Sequence, residues 1–239
     1  MKKILLFIII SISLLSCSFE QGYVVEDGKV YFEKPNVKDF IYNKGRERIT
    51  DADISTFEIL EKGHYAKDRK NAYYEAEIIE EADPATFEAL GKMIARDKNS
   101  GFFEERKIQD SDGKTFQLIT GLYSKDKDRA YYCEDSIAGS DVNSFEVVDK
   151  ENRVSKDKNG YYRSERKLPI KDPATFTKIK DDFWKDQYYV YDISKIYGHN
   201  SEIVLEGVDP KTVKAVFGRN GLLKDKYGCH NGYERVDCD

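Results

Sequence analysis

The chain has 239 residues, with 39 Lys and Arg against 44 Asp and Glu and a formal net charge of −5. Both signs are interspersed along it, which excludes the concentrated basic footprint of a nucleic-acid binder. Tyrosine (17) and phenylalanine (13) are abundant while tryptophan is single, a bias towards β structure.

The chain opens on Lys2 and Lys3, followed by an apolar run from Ile4 to Leu15 broken only by Ser11 and Ser13. That run is too short to span a bilayer comfortably, and its place at the very start fits an export signal. It closes on Leu14-Leu15-Ser16-Cys17, which resembles the lipobox of bacterial lipoproteins. A small residue before the cleavage point lets the peptidase approach, and the thiol is the nucleophile that receives the diacylglycerol. Residues 1–16 are therefore expected to be a lipoprotein signal peptide, Cys17 the lipidated residue, and 17–29 a tether. Acyl chains such as palmitate contribute about 0.8 kcal/mol per buried methylene. The expected location is the bacterial cell envelope, with the membrane as partner through the lipid. Ser18, in place of an aspartate after the cysteine, favours the outer membrane if the host is Gram-negative. No later stretch is long or apolar enough for a transmembrane helix.

From residue 30 onward two marks recur in phase. The first is a Lys/Arg-Asp pair, seen clearly in "YAKDRKNAYY" at 65–74, "IARDKNSGFF" at 94–103, "YSKDKDRAYY" at 123–132 and "VSKDKNGYY" at 154–162. Its aspartates are Asp39, Asp68, Asp97, Asp126, Asp157, Asp186 and Asp225, spaced by 29, 29, 29, 31, 29 and 39 residues. The second is Asp-x-x-Thr/Ser followed by an apolar residue: Asp53–Phe57, Asp83–Phe87, Asp112–Phe116, Asp141–Phe145, Asp172–Phe176 and Asp209–Val213. In the Asp-Pro-Ala-Thr copies the aspartate suits a helix N-cap, and proline carries the φ of a first helical residue. Apolar pairs such as Phe87/Leu90 and Phe176/Ile179 have the i, i+3 spacing of one helical turn.

Four copies place a small residue two positions before the Lys/Arg-Asp aspartate: Ala66, Ala95, Ser124 and Ser155. Its recurrence points to close backbone approach between elements. The aspartate itself is a turn former, and an aromatic pair follows it: Tyr73-Tyr74, Phe102-Phe103, Tyr131-Tyr132 and Tyr161-Tyr162, with Tyr189 and Tyr191 in the sixth copy. Adjacent strand residues face opposite ways, so one ring of each pair is expected inside and the other outside. The outward members, Tyr74, Phe103, Tyr132 and Tyr162, are the candidate exposed aromatics. Such a row would suit stacking on sugars or on a partner's sheet, unless it covers the next unit's surface.

The expected fold is mainly β, over 30–239: a tandem array of ~29-residue hairpin or meander units with short helical turns. Strand, turn, aromatic strand, turn, short third strand and helical turn make one unit. Each offers about four core side chains, too few to stand alone, so neighbours must share a core. The array is read as open and solenoid-like, with a closed propeller-like ring as the alternative, because 29 residues are few for a four-stranded blade. The sixth unit carries an insertion over 192–208.

Cys229 and Cys238 flank a hairpin with Asn231-Gly232 as its turn, and an oxidising compartment permits a disulfide there that would cap the last unit. Cys133 reads as a buried small hydrophobe. His64, His199 and His230 occupy unrelated places in the repeat and lack paired-ligand spacing. Asp110–Gly113 resembles the start of a calcium loop, but Gly121 stands where the closing glutamate belongs. No catalytic, cofactor or metal residues are assigned.

The paired marks resemble those of the DKNYW (or DKNYY) repeat family of bacterial exported proteins. The best matches are Lys156–Asn159, Arg96–Asn99, Lys185–Tyr191 and the two Asp-Pro-Ala-Thr-Phe copies. No copy has tryptophan at the aromatic position, and the first unit is degenerate. The resemblance implies no reaction and carries over no site residues. The expected function is a lipid-anchored envelope protein whose repeat scaffold is structural or binds an envelope protein or glycan. The alternative of another class is an exported hydrolase with its active site in the 192–208 insertion.

Overall fold

The computed structural model describes residues 22–38, 41–60, 63–198, 202–219, 221–232 and 234–238, with backbone alone for 35–38 and 41–44. The signal segment, Cys17, Asp39 and His199 lie outside the described residues. The fold is mainly β: among the described residues seven small antiparallel sheets follow one another in chain order. The first has three strands, Gly22–Glu26, Lys29–Lys38 and Ile41–Ile49. Its opening strand falls inside the expected tether of 17–29, so that boundary is corrected. Asp27-Gly28, both at positive φ (48° and 65°), forms the two-residue hairpin turn that Asp-Gly favours.

The repeating unit is a four-stranded meander. In the second unit the strands are Glu58–Ile59, Tyr65–Lys67, Ala72–Tyr74 and Glu77–Ile78; in the third, Glu88–Ala89, Ile94–Arg96, Gly101–Phe103 and Arg106–Lys107. The count corrects the expected three: a first short strand follows each Asp-x-x-Thr mark. Twenty-nine residues suffice because these strands are only two or three residues long. The helical turns are also corrected. Thr86 N–H donates to the Asp83 carbonyl at 3.1 Å, making one turn, and the chain then enters a strand. No α-helix occurs among the described residues. A helix needs its following backbone groups for itself, and here the sheet takes them.

Among the described residues six apolar clusters form the core, and each straddles consecutive units. Tyr65 and Ala72 of the second unit pack with Phe87, Ala95 and Phe102 of the third. Phe183 and Val190 of the sixth pack with Val213 and Leu223 of the seventh. None of the six joins the first sheet to the last, so the array is open. The packing is close: a Cβ added at Gly101 would lie 2.4 Å from the Phe116 ring of the next unit.

The small residues stand directly across from the buried rings, Ala66 to Tyr73, Ala95 to Phe102, Ser124 to Tyr131 and Ser155 to Tyr162. A large ring opposite a small side chain leaves room for the neighbouring unit. The sixth and seventh units put Trp184 and Leu223 in that place. In the sixth unit the fourth strand is replaced: a 3-10 helix, Ile193–Tyr197, precedes a segment that bonds back through Asp192 N–H to Ile203 O and Leu205 N–H to Val190 O, each 2.8 Å.

The second hairpin turn of each unit begins at a residue with positive φ: Glu75, Glu104, Cys133 and Ser164, at 51° to 54°. Cys133 is therefore a half-buried turn residue that packs against the margin of the Ile94, Phe103 and Phe116 cluster. Burial, then the charges of Glu134, Glu104 and Asp135, push its thiol up to about 11. Gly232 (φ 62°) holds the same place in the last unit, and Asn231 pairs with Glu234, so that turn begins one residue later than expected. A disulfide joins Cys229 to Cys238. Cys229 occupies the position of Ala72 and Ala130, which elsewhere face the next unit's core.

Candidate functional site

Both repeated marks meet in one hydrogen-bonded clasp. In the fourth unit the buried carboxylate of Asp126 accepts from the N–H groups of Asp128 and Arg129 through Oδ1, each 2.8 Å, which fixes the turn. Its Oδ2 accepts from the Tyr131 hydroxyl at 2.7 Å and from the Asp112 N–H at 2.9 Å. The second mark answers: Thr115 Oγ1 accepts from the Lys127 N–H at 3.1 Å, and the Lys127 ammonium lies 2.5 Å from Asp112. A short polar side chain that captures nearby N–H groups explains why each residue type sits where it does.

The clasp recurs in six units. Asp68, Asp97, Asp126, Asp157, Asp186 and Asp225 accept the N–H of Asp53, Asp83, Asp112, Asp141, Asp172 and Asp209 at 2.5–2.9 Å. Five residues beyond the buried aspartate stands the ring that points inward: Tyr73, Tyr131, Tyr162 and Tyr191 all donate to it. Phe102 fills the place in the third unit without a hydroxyl. In the seventh it is His230, whose Nε2 lies 3.2 Å from Asp225 Oδ1. His230 is thus in phase with the repeat, contrary to the sequence reading.

Burial acts to raise the carboxyls of Asp68 and Asp126, but the N–H and tyrosine donors outweigh it and hold both below the usual range. On the outer side of the clasp, Lys158 and Ser144 hold Asp141 down to about 2. Carboxyls depressed in the folded state stabilise it above their unfolded pKa near 3.8 and lose that contribution as pH falls through the folded value. Urea midpoints should therefore be flat above about pH 5 and fall steeply between about pH 4 and 2. A midpoint still flat at pH 3 would refute the role of these carboxylates.

The candidate row of exposed aromatics does not form. Phe103 (6% exposed) and Tyr162 (0%) are buried. Tyr162 is the inward ring because the fifth-unit aromatics are shifted by one residue, and strand alternation turns on the count from Asp157. Phe103 lies in the core with Ile94, Ile108 and Phe116, under the Arg106 guanidinium. Tyr74 and Tyr132 are half-buried against Tyr65 and Tyr123, with ring centroids 5.0 and 5.1 Å apart.

The sequence pattern of the DKNYY family matches residues 23–166. The chain belongs to the DKNYY family. No curated protein and no solved structure matches it. The family match runs from the first sheet into the fifth unit and stops before the sixth. The last two units nonetheless keep the DKNYY clasp, through Asp186 with Asp172 and Asp225 with Asp209.

Those two units depart from the other DKNYY repeats on the outside. Tyr188, Tyr189 and Tyr227 are 53%, 42% and 57% exposed, on the turns that the buried aspartates organise. Counting from Asp186 and Asp225 would have located them in the sequence. The 192–208 insertion turns its apolar residues inward: Ile193, Ile196, Ile203 and Leu205 are buried, and the Tyr197 hydroxyl donates to the Arg163 carbonyl at 3.1 Å. A separate groove of about 700 Å³ crosses the fourth strands of the second to fourth units, lined by Glu80, Glu105, Arg106, Glu134 and Asp135 among others. Its cations are taken by its own acids, Arg106 by Glu134 and Lys107 by Glu81, both at 2.7 Å.

Proposed function

We propose that this protein is a lipid-anchored component of the bacterial cell envelope whose open DKNYY array is a scaffold that presents binding surfaces. The observation that carries the scaffold reading is the clasp itself. The repeated carboxylates, hydroxyls and tyrosines are consumed in bonds to one another, so they fix the fold of each unit and offer no convergent group for chemistry. A hydrolase in the 192–208 insertion finds less support, because the one buried carboxylate among its described residues, Asp192, is taken by Ser194, and the other buried side chains are apolar and pack on the fifth to seventh units. Anchoring is supported by the Lys2-Lys3 start, the apolar run and the Leu14–Cys17 box, which lie outside the described residues.

Cys17→Ser is expected to move the protein from the membrane fraction to the soluble fraction and to abolish incorporation of labelled palmitate. Unchanged fractionation together with unchanged labelling would overturn the anchored reading.

A further inference from the structure

Because the repeats align residue by residue, each unit serves as a control for the others, and the last two differ at one edge of the array. Beside each clasp a cross-strand pair joins the residue after the Asp-x-x-Thr mark's apolar position to the base preceding the buried aspartate. That pair is Glu58 with Lys67, Glu88 with Arg96 and Glu146 with Lys156 in the second, third and fifth units, all of opposite charge. In the seventh it is Lys214 with Lys224. Like charges directly opposite on a sheet are destabilising unless something neutralises them. The equivalents of Lys224 also reach forward: Lys67, Arg96 and Lys185 donate to carbonyls of Phe87, Phe116 and Pro210 in the next unit, at 2.8–3.1 Å. Lys224 makes no such bond among the described residues, and it is exposed.

The turn tips on this same edge change in parallel. Where earlier units carry Lys70-Asn71, Asn99-Ser100, Asp128-Arg129 and Asn159-Gly160, the sixth carries Tyr188-Tyr189 and the seventh Tyr227. Their backbones are already fixed, since the N–H groups of Tyr188 and Tyr189 donate to Asp186 and that of Tyr227 to Asp225, at 2.7–2.8 Å. Exposed rings on a preorganised turn lose little entropy on binding. Lys226 lies 4.7 Å from the centre of the Tyr227 ring, and the Gln187 side-chain amide donates to Asp172 beside the tyrosine turn.

We propose that this edge of the sixth and seventh units binds an acidic polysaccharide. The tyrosine rings stack on pyranose faces, and the Lys214–Lys224 pair takes the carboxylate or phosphate groups of the chain. The inference rests on the envelope-scaffold reading for access to such a polymer.

The test uses the full chain in detergent micelles against polygalacturonate, a phosphorylated pyranose polymer and neutral dextran, with phosphatidylglycerol vesicles alongside. At least one acidic polymer should bind, and dextran at least about tenfold more weakly, a difference of about 1.4 kcal/mol. The double variants K214S/K224S and Y188S/Y227S should each weaken binding by at least about tenfold at a thermal midpoint no lower than the parent's. Failure of both acidic polymers to bind overturns the proposal. So does unchanged binding after removal of the tyrosines, which would reduce it to charge attraction, or loss of vesicle binding in place of polymer binding in the same variants. Failure of the anchored reading would appear in the Cys17→Ser fractionation and leave these measurements unaltered.

Discussion

Replacing Asp126 by alanine is expected to lower the stability of the protein by about 3–5 kcal/mol and to break the array in its middle. The carboxylate accepts four donors: the Tyr131 hydroxyl and the N–H groups of Asp112, Asp128 and Arg129. Alanine leaves the Tyr131 hydroxyl buried without its acceptor and releases the turn that carries the basic residues. It also cuts the one bond by which the buried aspartate holds the start of its own unit, and units of an open array are stable only through their neighbours. Tyr131→Phe removes a single hydroxyl and should cost only about 1 kcal/mol. Urea unfolding followed by tyrosine fluorescence and by far-UV circular dichroism checks both. For Asp126→Ala the two probes should separate, because the halves of the array unfold at different concentrations. A single transition within about 1 kcal/mol of the parent would show that the clasp is decoration on a core that holds by itself.

Reduction of the Cys229–Cys238 bond should destabilise the last unit by about 3 kcal/mol while leaving the first five nearly untouched. The bond closes a short loop, with the cysteines nine residues apart, and so restricts the unfolded chain. Its position adds a second effect. Cys229 pairs with Val236 in the last hairpin, and the bridge to Cys238 ties the final strand, Glu234–Val236, to that neighbour. Hydrogen exchange of Leu223, Lys224 and His230 amides should accelerate on reduction, whereas that of Ala95 and Ser124 should not. Equal acceleration in the third and fourth units would mean that the array unfolds as one block. No change anywhere would deny the bridge a capping role.

Several features of this fold are local and therefore legible in the residues. The two marks, their 29-residue spacing and the β character follow from short-range chemistry: an aspartate that captures N–H groups two and three positions on, and a small residue opposite a large ring. The helix expected at Asp-Pro-Ala-Thr failed for a related reason. An aspartate, proline and threonine begin a turn and a helix alike, and only the residues that pair next decide between them. Asp27-Gly28 was a readable hairpin signal, and it moves the start of the fold ahead of residue 30.

The orientation of the aromatic rings was not local. A shift of one residue between Asp157 and its tyrosines reverses which ring is inside, and the pairing Tyr161-Tyr162 conceals that shift. The same count shows that His230 stands in for a tyrosine, which no histidine-spacing rule would find.

By itself, then, the sequence determined that this chain is a β array built on two alternating marks, because those marks are made of contacts within a few residues. Only the tertiary structure decided that the marks are two halves of one clasp, since the bond joining them links residues 14 to 16 positions apart and exists only when the sheet has formed. It also decided which tyrosines are exposed: the rings five positions beyond the buried aspartates face the core, whereas Tyr188, Tyr189 and Tyr227 sit out on the turn tips.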